Sequence, residues 1–502
     1  MNILILGAGV MQIPAIKKAK EMGLFVICAD GNSEAEGKEL CDLFYAVDLK
    51  DKNGLLELAE KFHNKHTLHG VFTAGTDFSS SVSWITEKLG LPGIPYQVAL
   101  NATDKYRMRC CFKESNVPSP GFIEFSEGMD IEEKISDLSF PLVVKPVDSM
   151  GSRGVQKVSS LEELKDCVFT SIKHSRTSRA IIEEFIDGEE FSLDALVIDG
   201  NVKVYGFADR EIQFPPFFVE MGHTIPSSIS KENMESVIDV FTQGVKALGI
   251  NYGCAKGDMK LTKKGPVIGE IAARLSGGFM SGWTYPYSSE IDLTKGGIEL
   301  SLGQPVTIDK KPAELFCAER ALISIPGIIK DIKIPYTLPK GIKNRFISSK
   351  VGDKVVFPKN NVEKCGNIIS LAPSREKAIK LAEKDAGDIL VRLEPSVWET
   401  EEFLFGDKIV YKAFDIDDNL YSHLDDDIET DGTTIFVSKI DKILKSRKKD
   451  WQKRTINQVL KQLKQYYVVE FVDDNECGLD FYKALINGSL QGVLYYLDTL
   501  EI

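Results

Sequence analysis

One stretch decides the fold of this 502-residue chain: Lys145-Pro146-Val147-Asp148-Ser149-Met150-Gly151-Ser152-Arg153-Gly154-Val155. The apolar segment Phe140 to Val144 before it predicts a strand, which delivers a lysine into a loop of small residues. Glycine and serine let backbone N–H groups approach phosphate oxygens closely, and the lysine adds a positive charge. The pattern is not a P-loop, because no Gly-Lys-Ser/Thr follows at the required spacing. Alone, the loop is a weak indication of phosphate binding, so its meaning depends on the residues that follow.

Composition and charge bound the class of protein. The chain is 43% hydrophobic and 27% charged, as globular proteins are, and its length predicts about three domains. Its net charge of −13 argues against general nucleic-acid binding, which needs a basic face. No run of about 18 apolar residues occurs, so we expect no membrane span, and we expect no membrane partner. The chain starts directly on a predicted strand, so we expect no signal peptide.

The nine cysteines are scattered, and none forms a C-x-x-C pair. This usage predicts free thiols in a reducing cytoplasm and no structural zinc. The adjacent pair Cys110-Cys111 predicts a buried helix face, with metal binding as the alternative.

Strands and helices alternate over residues 1–95, which predicts a parallel sheet with helices on both faces. The turn Gly7-Ala8-Gly9-Val10-Met11-Gln12 is similar to a dinucleotide-binding fingerprint, and Asp30 stands where an acidic ribose ligand would lie. Gln12 replaces the third glycine, however. We therefore interpret the segment as a strand-to-helix turn, with an NAD site as the alternative.

The sequence pattern in the middle of the chain predicts that Asn101–Ser115 form one unbroken helix, and it also predicts two hairpins. The second hairpin pairs Tyr252–Leu261 with Pro266–Ile271. Asp258 and Glu270 lie on its two strands, so both carboxylates can point to one face and share Mg²⁺, which prefers hard oxygen ligands. Exposed hairpin charges are the alternative interpretation.

Further charged and small residues follow in a fixed order along the chain. They are Asp104-Lys105, Lys145, Ser149–Gly154, Glu183-Glu184-Phe185-Ile186, Gly188-Glu189-Glu190-Phe191-Ser192, Gly222-His223, Asp258-Met259-Lys260 and Glu270-Ile271-Ala272-Ala273-Arg274. In this order they resemble the ATP-grasp superfamily, and most closely its carboxylate–amine ligases and L-amino-acid ligases, which are similar to the large chain of carbamoyl phosphate synthase. The resemblance covers about residues 1–400. Each motif alone is weak, but the joint order and spacing are specific.

The resemblance implies a set of nucleotide-binding residues. They are Lys105, Lys145, Ser149, Met150, Gly151, Ser152, Gly154, Glu183, Glu184, Phe185, Ile186 and Glu190. The two lysines can neutralise triphosphate charge, and the loop can close over the phosphates and exclude water. The backbone of Glu183–Ile186 can read the adenine edge, and Glu190 matches the position that accepts the ribose hydroxyls.

The resemblance also implies the cofactors and the catalytic groups. ATP is bound with Mg²⁺, or alternatively Mn²⁺, and Asp258 and Glu270 are the expected metal ligands. Arg274 matches an arginine that contacts the acyl phosphate or the substrate carboxylate, because a guanidinium suits a bidentate oxyanion. Lys256 matches a cation that steadies the tetrahedral intermediate. His223 resembles a loop histidine near the phosphates and the substrate, with a structural histidine as the alternative.

One position departs from the family pattern. The superfamily usually has an asparagine two residues after the second metal-binding acid, and this chain has Ala272 there. One metal ligand is therefore missing, so the geometry of a second metal is in doubt.

The expected fold is α/β, with an N-terminal parallel-sheet (pre-ATP-grasp) domain, an α+β ATP-grasp fold and a smaller C-terminal α+β extension. The expected boundaries are residues 1–95 for the Rossmann-like domain and 96–309 for the nucleotide-binding domain, with a mobile lid at about 117–190. Residues 310–400 are the expected C-terminal subdomain, and 401–502 an extension of unassigned role.

The expected activity is ATP-dependent ligation of a small-molecule carboxylate to an amine, that of an amino acid. The reaction passes through an acyl phosphate and releases ADP and phosphate. A carboxylase or carbamate-phosphorylating synthase is one alternative, and a nucleotide-binding regulator without catalysis is another. A homodimer is the default oligomer.

The C-terminal segment carries an acidic patch, a basic run from Lys439 to Arg454, and helical sequence. Phe414-Asp415-Ile416-Asp417-Asp418-Asn419-Leu420 is similar to a phosphatase motif with alternating aspartates, but Asn419 replaces the usual threonine. We interpret this stretch as an acidic loop.

Overall fold

The computed structural model describes residues 1–308, 315–407, 410–416, 429–430, 434–438, 441–472 and 478–500. They divide into two units, Met1–Glu319 with Leu371–Ala378, and Arg320–Ser370 with Ile379–Ile502. Most of the acidic patch (residues 417, 418 and 425–427), the end of the phosphatase-like motif and Lys439 lie outside the described residues. In the described part of the chain, no helix combines the length and apolarity that a membrane span requires.

The first unit opens with the expected parallel sheet. Its strands are β1 (Asn2–Leu6), β2 (Phe25–Asp30), β3 (Leu43–Ala46) and β4 (Gly70–Phe72), and the helices that follow them are α1 (Ile13–Glu21), α2 (Lys52–His66), α3 (Ser79–Leu89) and α4 (Tyr96–Asn101). The strand order is β3-β2-β1-β4. Ile3 and Ile5 pack into one apolar cluster and Leu4 and Leu6 into another, because helices cover both faces of the sheet.

The turn after β1 is closed by the chain's own side chains. The Ala8 N–H donates to Asp30 Oδ2 at 2.7 Å. Gln12 is buried and donates from Nε2 to the Ala74 carbonyl at 2.6 Å. A Cβ at Gly7, whose φ is +98°, would lie 2.8 Å from Gln12 Cδ. The Gln12 side chain therefore fills the space that a third glycine of a dinucleotide fingerprint would leave open.

The single helix predicted over Asn101–Ser115 is wrong, because the chain breaks it. Helix α4 ends at Asn101 and α5 spans Lys105–Glu114. Asp104 has extended backbone angles, and its Oδ1 accepts the Arg107 N–H at 3.0 Å, so it caps the second helix. The pair Cys110-Cys111 on α5 is half-buried rather than buried.

A second, antiparallel sheet holds the glycine loop. It consists of β5 (Phe122–Ser126), β6 (Leu142–Pro146), β7 (Gln156–Val158) and β8 (Arg179–Glu184), with α6 (Ile131–Lys134) and α7 (Leu161–His174). The strand order is β5-β8-β6-β7. Helix α7 buries Leu164 and Val168 against the sheet, and Ser160 caps its first turn. We call this the lid sheet.

The remaining strands of the first unit form a larger antiparallel sheet. Its members are β9 (Glu189–Ile198), β10 (Asn201–Gln213), β11 (Val219–Ile225), β12 (Gly253–Thr262) and β13 (Gly265–Ala272), in the order β13-β12-β9-β10-β11. Helices α8 (Lys231–Ala247), α9 (Tyr285–Ser289) and α10 (Leu293–Ser301) belong to the same unit, and β14 (Phe316–Leu322) contains the boundary between the units. One face of the sheet packs on α5 and α8 through an apolar core around Phe112 and Phe241.

The second unit is α+β. Its elements are β15 (Gly327–Lys333), β16 (Ile342–Ile347), β17 (Lys354–Val355), β18 (Gly366–Ala372), α11 (Arg375–Asp388), β19 (Leu390–Leu393), α12 (Trp398–Phe405), β20 (Glu429–Thr430), β21 (Thr434–Ser438), α13 (Asp441–Leu444), α14 (Ile456–Leu463), β22 (Val468–Val472) and α15 (Leu479–Thr499). Strand β18 ends in the first unit, and helix α11 begins there. Strands β21 and β22 pair in parallel. Helices α14 and α15 build a core of their own, including Leu460 and Leu485.

A buried carboxylate fixes a kink in α15. Ser489 interrupts the helix with φ 53° and ψ −144°, and its Oγ donates to Asp450 Oδ2 at 2.6 Å. Asp450 also accepts from Arg454 Nε at 2.9 Å and from the Arg454 N–H at 2.7 Å. Its side chain is fully buried, so these hydrogen bonds replace those that water would make.

We therefore expect Asp450→Ala to destabilise the second unit by about 3–5 kcal/mol, because it leaves the largely buried Arg454 without its carboxylate. Urea denaturation followed by the fluorescence of nearby Trp451 measures the change. Asp480→Ala is the matched control, because Asp480 is a half-exposed acid on α15 paired with Lys483 at 3.6 Å. Its expected cost is about 1 kcal/mol or less. Equal shifts in the two variants would contradict a structural role for Asp450.

Candidate active site

One face of the larger sheet carries polar side chains at every second position. In β9, the segment Glu190–Ala195 alternates polar and apolar residues, and its apolar members join the core on α5 and α8. Successive side chains of a strand point to opposite faces, so Glu190, Ser192 and Asp194 point away from that core. The site is therefore built on the face opposite the helices.

Cross-strand pairing aligns the charged residues on this face. Asp258 on β12 pairs with Glu270 on β13 and with Ser192 on β9. Arg210 on β10 pairs with Glu190 on β9. Directly paired residues point to the same side of an antiparallel sheet, so the charged groups of neighbouring strands converge.

Asp258 is held between two cations. Its Oδ1 lies 3.2 Å from Arg210 Nη1 and accepts from Ser192 Oγ at 3.1 Å, while Lys256 contacts Oδ2. Burial alone would raise the pKa of this carboxyl, but Arg210 and Lys256 outweigh burial and lower it below its usual range. Asp258 is therefore a carboxylate at neutral pH.

Glu270 faces a lysine from another element. Its Oε2 lies 3.6 Å from the Nζ of Lys105, at the start of α5. The same ammonium donates to the Ser149 carbonyl at 2.9 Å. Lys105 thus connects Glu270, an expected metal ligand, with the first residue of the glycine loop. Ala272 is buried on β13 opposite Lys256, and its methyl group supplies no metal ligand.

Lys145 is positioned by a buried chain of charges. Its Nζ lies 2.5 Å from Glu183 Oε2, and Glu183 Oε1 accepts from Arg109 Nε at 2.7 Å. Arg109 is 2% exposed and also donates from Nη2 to the Gly269 carbonyl at 2.7 Å. Burial would raise the pKa of Glu183, but Arg109 and Lys145 lower it to about 2. Glu183 therefore holds Lys145 by its side chain.

The loop Ser149–Gly154 joins β6 to β7 with left-handed backbone at Gly151, Ser152 and Gly154 (φ +69°, +61° and +70°). A Cβ on Gly154 would lie 2.9 Å from the His174 ring, so only glycine fits there. Ser171 on α7 anchors the end of the loop by donating to the Gly154 carbonyl at 2.5 Å. The Met150 carbonyl accepts a hydrogen bond from Arg153 Nε at 3.1 Å.

The segment expected to read the adenine follows β8. The N–H groups of Glu184 and Phe185 donate to the carbonyls of Gly121 and Pro141, both at 2.9 Å. The Glu184 side chain accepts the Ser139 N–H at 3.3 Å, at the edge of the lid sheet. The backbone amides of Glu184 and Phe185 are therefore already engaged.

Lysines surround the end of this segment. Lys157 Nζ lies 4.0 Å and Lys260 Nζ 5.1 Å from the centre of the Phe185 ring. Lys260 also donates to the Ile186 carbonyl at 3.0 Å and pairs with Glu190 Oε1 at 2.8 Å. The Lys260 ammonium group thus contacts both Ile186, an expected adenine-binding residue, and Glu190, the expected ribose-binding residue.

Arg210 lies at the centre of the acidic groups and was missed by the sequence analysis. It contacts Glu220 at 2.8 Å, Asp258 at 3.2 Å and Glu190 at 3.3 Å. Burial would lower the pKa of its guanidinium, but the three carboxylates raise it. The register of Arg210 with Glu190 is visible in the paired strands, whereas Asp209-Arg210-Glu211 has no polar–apolar alternation that would have identified it.

His223 lies between two acids. Its Nδ1 is 3.2 Å from Glu319 Oε2 and its Nε2 is 3.2 Å from Glu220 Oε2. The ring is buried; burial would lower its pKa, but the two carboxylates raise it. His223 is thus linked through Glu220 to Arg210 rather than isolated in a loop.

Arg274 is oriented from the parallel-sheet domain. Its Nε and Nη2 both donate to Asp77 Oδ1, at 3.0 and 2.6 Å. The next residue, Leu275, bridges in parallel with Ala74 after β4. Ser276 donates its N–H to buried Asp194 at 2.8 Å, and burial raises the pKa of that acid to about 6. Backbone and side-chain contacts together fix the Arg274 loop.

The structure therefore brings several predicted residues together. Lys256, Asp258, Glu270, Glu190 and His223 share the sheet face, and Lys105 contacts Glu270 from α5. Arg274 follows the end of β13 and binds Asp77. A separate group belongs to the lid sheet and the segment after it: Lys145, Ser149, Met150, Gly151, Ser152, Gly154, Glu183, Glu184, Phe185 and Ile186. The sequence analysis assigned no role to Arg109, Asp194, Arg210, Glu220 or Glu319.

Two family matches cover most of the first unit. Residues 138–282 match the family described as ATP-grasp domain, and residues 16–93 match the ATP-grasp N-terminal domain. The N-terminal match ends before the Asp104-Lys105 motif, and the second includes the glycine loop and both expected metal acids.

Similar proteins include both an uncharacterised chain and a ligase. The uncharacterized protein y4rH of Sinorhizobium fredii is 24% identical over 361 residues, which is 70% of this chain and 73% of that protein. Alanine–anticapsin ligase of Bacillus subtilis is 26% identical over 223 residues, which is 40% of this chain. The matched region spans about half of that ligase, 47% of its length.

A solved structure has the same fold. The L-amino acid ligase from Bacillus licheniformis superposes with a TM-score of 0.67 at 22% identity, covering 78% of this chain and 98% of the other. At this identity the likeness concerns the fold alone. The two family matches show that residues 16–93 form an ATP-grasp N-terminal domain and that residues 138–282 form an ATP-grasp domain.

Proposed function

We propose that this chain is an ATP-dependent carboxylate–amine ligase. A substrate carboxylate oxygen attacks the γ-phosphorus of ATP, the bond to ADP breaks, and an acyl phosphate forms. An amine, such as that of an amino acid, then attacks the acyl carbon, loses a proton and expels phosphate, leaving an amide. The observation that carries the proposal is the pairing of Asp258 with Glu270 on one sheet face, beside Lys105 and the glycine loop.

The nucleotide would lie between the lid sheet and this face. Lys105 and Lys145 would neutralise its phosphates, and the loop from Ser149 to Gly154 would cover them. Because the amides of Glu184 and Phe185 are engaged, we assign adenine recognition to the backbone of Ile186. Glu190 would accept the ribose hydroxyls, with Lys260 and Arg210 fixing its two oxygens.

The residues present fit Mg²⁺. Asp258 and Glu270 supply two carboxylates on one face, and phosphate oxygens and water would complete the coordination that Mg²⁺ prefers. Bound there, Mg²⁺ would neutralise phosphate charge during phosphoryl transfer. Arg210 and Lys256 keep Asp258 ionised and therefore ready to bind a cation. A magnesium site with these ligands does not require an asparagine at position 272.

The remaining cations would act on the substrate. Arg274, held by Asp77, would bind the carboxylate and then the acyl phosphate, because its planar guanidinium matches two oxygens. Lys256 would steady the negative oxygen that develops when the amine attacks. His223, whose pKa is raised by Glu220 and Glu319 against the opposing effect of burial, would face the transferred phosphate. Exclusion of water by the lid would protect the acyl phosphate from hydrolysis.

Glu270→Gln tests the ligase directly. We expect phosphate release that depends on particular amino acids, and at least about a hundredfold loss in the variant, because a metal ligand acts on the transferring phosphoryl group. ATP turnover is measured with Mg²⁺ across the twenty amino acids singly and in pairs, with bicarbonate as a separate arm. Asp199→Asn, at the exposed β9–β10 turn, is the matched control and should retain turnover.

Two outcomes would contradict the proposal. Turnover in the bicarbonate arm alone would make the protein a carboxylase. Binding of ATP without turnover in any arm would make it a nucleotide-binding protein without ligase activity towards these substrates.

Arg109→Gln tests the charge chain behind Lys145. Loss of a charge-assisted hydrogen bond to Glu183 should raise the KM for ATP by roughly tenfold or more, with a smaller effect on kcat, since Arg109 contacts no reacting atom. Arg107→Gln is the matched control on the same helix, because the Arg107 guanidinium donates to the neutral side chains of Asn101 and Gln97. Equal KM values in the two variants, at unchanged melting temperatures, would exclude a positioning role for Arg109.

A further inference from the structure

Three large apolar side chains project from one loop of the second unit. Tyr336 is fully exposed, Leu338 is 53% exposed and Ile334 is 45% exposed. They occupy alternate positions of a single loop between β15 and β16. Exposed apolar residues are common singly, but a group of three at the tip of one loop marks a surface that contacts something else. We call these three residues the apolar tip.

The loop that carries the tip is held in place from inside. Arg345 on β16 donates from Nη1 to the Pro335 carbonyl at 2.7 Å and from Nη2 to the Thr337 carbonyl at 3.2 Å. The guanidinium is in turn bound by both oxygens of buried Asp385, each at 2.7 Å. The Ile342 N–H closes the loop by donating to the Pro339 carbonyl at 2.9 Å. The apolar side chains are therefore presented to solvent by a fixed backbone.

The sequence that carries the tip is locally basic, although the acids Asp385 and Asp388 lie near its arginine, Arg345. Between Ile332 and Gly352 there are five cationic residues and no acidic residue, whereas the whole chain has a net charge of −13. Four of the five are lysines, and the single arginine, Arg345, is used to brace the loop. The tip is therefore flanked by lysines on a molecule that is otherwise acidic.

The identity of these cations points to a lipid surface. Lysine is depleted from protein–protein interfaces, where arginine and aromatic residues are enriched. Lysines beside exposed apolar side chains, with a tyrosine whose ring is apolar and whose hydroxyl is polar, are typical of segments that lie at the surface of an anionic membrane. Symmetric contact with a second copy would set these lysines against each other.

We propose that the 334–338 loop docks this chain on the surface of membranes rich in anionic lipid. The apolar tip inserts among the headgroups, and Lys333, Lys340 and neighbouring lysines contact the lipid phosphates. This docking is independent of the ligase proposal, and it differs from the sequence-based expectation of no membrane partner.

Vesicle co-sedimentation of the full chain tests this docking. Vesicles of phosphatidylcholine with 30% phosphatidylglycerol, a composition chosen as roughly that of a strongly anionic surface, are compared with pure phosphatidylcholine. We expect about tenfold tighter binding to the anionic vesicles at low salt, and weaker binding at high salt because exposed charges are then screened. Tyr336→Ser with Leu338→Ser, and separately Lys333→Glu with Lys340→Glu, should each reduce binding by about tenfold or more.

Phe169→Ser is the matched control, because it removes a half-exposed apolar side chain from α7 in the other unit. It should leave vesicle binding unchanged, and all variants should keep the wild-type melting temperature and ATP turnover. Three results would overturn the proposal: no binding to either vesicle, equal loss in the control, or a dimer in light scattering that the Tyr336 variant dissociates. Tyr336-dependent retention on immobilised polyglutamate without vesicle binding would also overturn it, and would assign the loop to an acidic protein.

Discussion

The site depends on one buried electrostatic arrangement, in which Arg210 and Lys256 hold Asp258 as a carboxylate on the face of an antiparallel sheet. A buried acid without such partners would be neutral and would bind a divalent cation poorly. The same guanidinium also fixes Glu190 and Glu220, and Glu220 reaches His223. A single arginine therefore connects the expected metal, ribose and phosphate contacts.

The sheet supplies the precision of this arrangement. Cross-strand neighbours have a fixed separation, so polar residues on five strands can be brought together without long loops. Elements outside the sheet then add single groups: α5 contributes Lys105, the parallel-sheet domain orients Arg274 through Asp77, and the lid sheet provides Lys145. Rigid strands therefore position these charges.

The sequence was sufficient for the fold class and for the hairpin that pairs Asp258 with Glu270, because period-two alternation and local turns are encoded within a few residues. It was insufficient where partners are distant in the chain. Arg109 and Gly269 are 160 residues apart, and Arg274 and Asp77 are 197 residues apart, so no local pattern indicates these contacts. The break between α4 and α5 was missed for another reason. Asp104 was interpreted as a family motif residue within a helical pattern, and its role as a helix cap was therefore not predicted.

Arg109 joins two parts of the first unit by binding Glu183 on the lid sheet and the carbonyl of Gly269 beside Glu270. Gly269 is an extra residue in the β12–β13 pairing, between Glu270 opposite Asp258 and Ile268 opposite Met259. Movement of the lid sheet and displacement of this bulge would therefore share one hydrogen-bonded group. By thermodynamic reciprocity, any cooperativity that this group transmits must be equal in both directions: nucleotide would strengthen metal affinity by the same factor as metal strengthens nucleotide affinity.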